Sequence, residues 1–174
     1  MPRRSIALQD EIKQTRPFRS SAEEVVVSVL RTAAVMQRHL AQVVEARGIT
    51  IQQYNVLRIL RGAGEAGLPT LAIRDRMVEE AAGITRLLDK LESAGHVVRE
   101  RCTPDRRQVL CHITPTGASL ITSLDGPMDA ANQRAGANLD DGEREQLIEL
   151  LGAIRAALTT PPSQGSGRNG QPPR

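Results

Sequence analysis

The chain is 174 residues long with a formal net charge of +3, a size that suits one domain with helical extensions. It has one Tyr, one Phe and no Trp, so a core must come from Leu, Ile, Val and Ala, which favours packed helices. Cys102 and Cys111 are too few for a disulfide framework, the first residues lack a signal-peptide core, and no run approaches the roughly 18 apolar residues of a membrane span, so a soluble, cytoplasmic protein is expected.

In chain order, residues 1–20 mix charges with Pro2 and Pro17 and read as a flexible arm, briefly helical at 6–14. Ser21 and Glu24 make a capping box for a long helix that carries Val26, Val29, Leu30, Ala33, Gln37, Leu40 and Val44 on one face and ends before Gly48. Thr50 and Gln53 form a second box, opening a helix with Ile51, Tyr54, Leu57 and Leu60 inward and a stop at Gly62. The run 62–67 spells the glycine spacing of a dinucleotide fingerprint, but a helical pattern precedes it and Pro69 follows, so it reads as a loop.

A third helix fits 70–78, with Leu71, Ile73 and Met77 apolar, and a fourth begins near Glu80. In that fourth helix Ile84, Leu87, Leu88 and Leu91 make a buried stripe, which leaves Ala82, Thr85, Arg86, Asp89, Lys90 and Ser93 on the opposite face, and Gly95 ends it. Residues 97–102 and 109–113 alternate as strands around a Pro-Asp turn at 103–108. A helix from Thr116-Gly117 carries Leu120, Ile121 and Leu124, and Gly126-Pro127 should break or kink it. Asp140 and Glu143 cap a last helix striped by Leu147, Leu150, Leu151, Ile154 and Leu158; residues 159–174, rich in Pro, Gly, Ser and Gln, read as a disordered tail.

The fold class expected is mostly α with a small β-hairpin, and a helix running straight into an arginine-rich hairpin is a way of gripping duplex DNA. Arg99, Arg101, Arg106 and Arg107 all fall on that hairpin, a concentration that a protein-interaction scaffold, the alternative reading, does not need. An Asp105 carboxylate near the Arg107 guanidinium can hold it as a fork suited to a narrow minor groove. The two cysteines would share a strand face only with odd register, and they read as structural rather than redox-active. With His112 they lack the paired spacing of a zinc site, and no Ser-His-acid or Cys-His set is present, so no catalytic residue, cofactor or metal is expected. The first and last helices have apolar faces that no central element covers. A homodimer would cover them and supply the two-fold symmetry that palindromic DNA sites require.

These residues resemble the multiple-antibiotic-resistance regulator (MarR) family. The resemblance rests on ITIQQYNVL at 49–57, ITRLLDKLE at 84–92 with Gly95, and the wing DRRQVL at 105–110 leading into ITPTG at 113–117. It implies a winged helix-turn-helix lobe at 49–117 within a domain spanning 21–158, with 21–48 and 118–158 as dimerisation helices. It also implies a DNA-binding homodimer, a repressor released from a pseudo-palindromic operator by a small-molecule effector held in a cleft between dimer helices and reader lobe, which reads as lined by generic apolar residues. By position Thr85 and Arg86 match recognition-helix residues, Asp105 the wing aspartate and Arg107 the minor-groove arginine. The DNA-facing set expected is Ala82, Gly83, Thr85, Arg86, Lys90, Arg99, Arg101, Asp105, Arg106 and Arg107. One departure is that Glu79, Glu80, Ala81, Ala82 and Gly83 stand where relatives carry Ser and Thr in the first turn of the recognition helix. Glu80 there reads as complementing the helix dipole, and Ala82 and Gly83 as allowing close approach to thymine methyls.

Overall fold

In a computed structural model, the chain is described at residues 7–79, 83–101 and 109–159. The elements are α1 (Leu8–Glu11), α2 (Ser21–Glu45), α3 (Ile51–Ala63), a 3-10 turn (Gly64–Ala66), β1 (Leu68–Pro69), α4 (Thr70–Arg74), α5 (Ile84–Ser93), β2 (Val97–Arg101), β3 (Val109–Ile113), α6 (Pro115–Ala135) and α7 (Asp141–Thr159). This is the helical fold with a small antiparallel sheet that the sequence pattern implies.

The arm holds one helical turn, α1, and Glu11 pairs with Arg31 of α2 at 2.7 Å. The cap of α2 is Ser20 rather than Ser21: its side chain accepts from the Glu23 amide, and Glu23 in turn accepts from the Arg19 amide. Ser20/Glu23 and Ser21/Glu24 offer the same spacing one residue apart, so spacing alone could not choose between them. The reciprocal Thr50–Gln53 box at the head of α3 forms as expected.

Helix α4 is shorter than its apolar pattern suggests and ends at Arg74. Beyond it the amides of Arg76 and Met77 reach back only three residues, to the carbonyls of Ile73 and Arg74. That tightening swings Met77 onto the core and leaves Val78 85% exposed. Helix α5 starts at Ile84, not near Glu80, because Gly83 takes a left-handed φ of 102° through which a right-handed helix does not run. Gly83 is therefore the residue before the helix, while Glu80, Ala81 and Ala82 lie outside the described residues.

The hairpin strands pair antiparallel from Val97↔Ile113 to Arg101↔Val109, with Arg99 opposite Cys111. The two-residue β1, which the sequence did not reveal, adds to the far side of β3, giving the order β1-β3-β2. The run of glycines at 62–67 thus lies between a helix and a strand, the reverse of what a dinucleotide fingerprint needs. Pro127 neither ends nor interrupts α6. It sits exposed between the buried Leu124 and Met128, so the Ser123 carbonyl that loses its donor is on the solvent side, where water can serve it.

Val44 of α2, Tyr54, Val56, Leu57 and Leu60 of α3, Ile73, Leu88, Leu91, Cys111 and the inner face of α6 make one core. Chain contacts divide after Ala135. In the second unit α7 begins with the expected Asp140–Glu143 reciprocal cap, runs through Thr159 and has no buried residue. Residues 160–174, read from sequence as tail, lie outside the described residues. Among the described residues no helix is long and apolar enough to cross a membrane.

Candidate nucleic-acid interface

The C-terminus of α5 is closed by a Schellman pair, Gly95 N–H to Glu92 C=O and His96 N–H to Leu91 C=O, each 2.9 Å, with Gly95 at φ 73°. The chain then enters β2 at once. His96 C=O accepts from the Thr114 amide, and the Thr114 hydroxyl donates to Gly95 C=O at 2.7 Å while accepting from the Gly117 amide. Gly117 packs so closely that a Cβ there would lie 2.3 Å from the His96 oxygen. One knot of hydrogen bonds, backbone and Thr114 hydroxyl together, therefore fixes the end of α5, the base of the hairpin and the start of α6.

Ile84, Leu88 and Leu91 anchor α5 in the core, which turns Thr85, Arg86, Asp89, Lys90 and Ser93 to solvent. Arg101 is exposed near the tip end of β2. Arg99 behaves differently. Its guanidinium folds back onto α5, 2.7 Å from Asp89 and 3.6 Å from Glu92, and donates to the Thr85 carbonyl. Burial works against its charge, but the Asp89 hydrogen bond and the two carboxylates outweigh it and raise its pKa. Gly83, Thr85, Arg86, Lys90 and Arg99 are thus gathered on or beside α5, whereas Ala82, Asp105, Arg106 and Arg107 lie outside the described residues.

Cys102, and with it the expectation about a shared cysteine face, lies outside the described residues. Cys111 is fully buried, and that burial pushes its thiol pKa up. His112, its neighbour in β3, points to the other face of the strand and lies against Gly67. Among the described residues no group of three His, Cys, Asp or Glu side chains could hold a metal ion.

A cavity of about 620 Å³ opens where α2, α3, α6 and the segment ahead of α5 meet. Its lining is not generically apolar as the sequence suggested. Arg61 of α3 forms a bidentate pair with Asp125 of α6, both bonds 2.9 Å, which holds the Asp125 carboxyl below its ordinary range. Arg58 stands over the Tyr54 ring, 5.9 Å from its centroid, and Gln37 of α2 donates to Glu79, so α2 and the approach to α5 are tied across the cavity. The legible signal was a pair of arginines one turn apart on α3 and a pair of aspartates, Asp125 and Asp129, one turn apart on α6.

A sequence model of the MarR family matches residues 49–109. The HTH-type transcriptional regulator TtmR of Methylorubrum extorquens (strain PA1) is 30% identical over 157 residues, spanning 90% of this chain and 77% of that protein. The chain belongs to the MarR family. Among solved structures, a MarR transcription factor from Planctomyces limnophilus is 33% identical, with a TM-score of 0.61 over 79% of this chain and 99% of that one. A mutant MarR from E. coli complexed with operator DNA is 24% identical, with a TM-score of 0.71 over 80% of this chain and 99% of that one, and speaks to the fold. This MarR-family chain is accordingly a winged-helix transcriptional regulator, in a family of regulators rather than enzymes.

Proposed function

We propose that this regulator acts in the cytoplasm as a homodimer on pseudo-palindromic operators, repressing transcription until a small-molecule effector releases it. The observation that carries the reading is the exposed cationic face of α5, Arg86 and Lys90, joined rigidly to a hairpin whose tip sequence is Asp105-Arg-Arg. In this reading Thr85, Arg86 and Lys90 meet the major groove, with Ala82 and Gly83 at its edge. Arg101, Asp105, Arg106 and Arg107 form the wing at the minor groove.

The effector part is supported by the cavity, whose volume falls in the usual range for small-molecule sites, about 300–1,000 Å³. Arg58 over Tyr54 makes no ion pair among the described residues, so the pair suits a flat ring carrying an anionic group. Titrating labelled duplex from beside the gene, with and without small aromatic acids, tests both parts. Binding should fall steeply with salt and exceed binding to a scrambled duplex, and an effective acid should raise Kd. Binding indifferent to salt and sequence would instead favour a protein-interaction module.

A further inference from the structure

The exposed side of α5 carries two parallel rows. Thr85, Asp89 and Glu92 stand at offsets of four and seven, and Arg86, Lys90 and Ser93 repeat the same offsets one residue on. The first row is acidic, with Asp89 and Glu92 side chains 54% and 41% exposed, and lies beside the cations that would meet phosphate. Unopposed, two carboxylates there would repel the duplex. Arg99 reaches over from β2 and engages every member of that row, the Thr85 carbonyl, the Asp89 carboxylate and the Glu92 carboxylate, while only 23% of its own side chain remains exposed. Beneath it the cross-strand partner Cys111 is fully buried, so the guanidinium has packing on one side and the acidic row on the other.

We propose that Arg99 is a positioning residue that masks the acidic row of α5 and braces the helix against the hairpin, rather than a DNA contact. The inference rests on the DNA-reading function proposed above. It separates the two described hairpin arginines: Arg99 acts through α5, whereas Arg101 is exposed to solvent. Masking differs from phosphate contact in what rescues it. If Arg99 serves to cancel Asp89, removing Asp89 relieves the need for Arg99.

The test compares full-length wild type with Arg99→Gln, Asp89→Asn and the double variant on operator and scrambled duplexes across several salt concentrations, with Arg86→Ala as the reference for direct contact. Arg99→Gln should weaken operator binding by about tenfold, the scale of strong coupling between touching groups. Adding Asp89→Asn should recover most of that loss, and the salt dependence of log K should stay close to wild type in both. Arg99→Gln without loss of affinity, or a loss that Asp89→Asn does not relieve and that comes with a slope shallower by about 0.9 per half-site, overturns the proposal; the latter pattern is that of a phosphate ligand. Should Arg99→Gln not fold, Asp89→Asn alone decides: masking requires equal or tighter binding to both duplexes, and a tenfold loss overturns it. Wild type that binds no duplex even at low salt overturns the DNA-reading function itself, an outcome distinct from binding without rescue.

Discussion

At the scale of single residues, Cys111 and Gly117 make opposite demands on chemistry and space. Burial raises the Cys111 pKa above its ordinary value of 9.0, so at neutral pH the thiol is protonated and inaccessible. In a Cys102→Ser background, alkylation of native protein at pH 7.5 should be far slower than of unfolded chain, and equal rates would show that β3 opens freely. The sign for stability follows: a thiol whose folded pKa is raised contributes fully below the unfolded value and loses that contribution as pH rises through the folded one, so this residue weakens the fold only in alkali. Gly117 is a matter of contact, since a Cβ would press on the His96 carbonyl at 2.3 Å and backbone cannot step aside as a side-chain tip can. Gly117→Ala should cost about 2 kcal/mol or more by chemical denaturation, and DNA affinity should fall with it because the same knot aims the hairpin. Residue type and spacing placed Thr85, Arg86, Asp89, Lys90 and Ser93 on the outward face of α5, where they are exposed. They could not show that the Arg99 guanidinium reaches Asp89, because that contact depends on the strand register and on a row of residues on another element. The cavity lining escaped for the same reason, as Arg61 and Asp125 are 64 residues apart and meet only in the fold.

Among elements, those whose ends are written locally were the legible ones. The Thr50–Gln53 box, the Asp140–Glu143 box, the Gly95 stop and the buried stripe of α5 each depend on residues within a turn or two of one another. Thr50→Ala removes one acceptor and leaves the Gln53 amide without its partner, so α3 should lose about 1 kcal/mol, read as a lower denaturation midpoint at unchanged m-value. An unchanged midpoint would mean that core packing through Leu57 and Leu60 alone sets the helix start. The start of α5 was misread because Glu79, Glu80, Ala81 and Ala82 have helical propensity, and the left-handed turn at Gly83 overrides it. Propensity likewise could not signal β1, whose two residues exist as a strand only because β3 lies alongside. Pro127 shows the converse, a strong local breaker tolerated inside α6 because Leu124 and Met128 on either side are buried.

For the whole molecule the unresolved demand is apolar surface. Helix α2 leaves Val26 and Leu30 exposed at 58% and 65%, and α7 exposes Ile148, Leu150 and Leu158 at 67%, 56% and 81%. A 19-residue helix without a buried residue has little to hold it, since isolated helices near that length are marginal in water and apolar surface left wet forgoes about 25 cal/mol per Å². In the proposed homodimer a second copy would cover the apolar faces of these helices and supply the two-fold axis that a paired operator needs. Sedimentation at micromolar concentration should therefore give twice the 18.9 kDa chain mass. Because folding and association are then linked, Tm should rise with protein concentration. Leu30→Asp and Leu150→Asp, each placing an unpaired charge in the interface, should shift the population toward monomer, remove that concentration dependence and weaken operator binding far more than binding of a single half-site. A chain that sediments as a monomer, melts at a Tm independent of concentration and still binds the full operator tightly would rule out this assembly and require the apolar faces of α2 and α7 to be covered by something else.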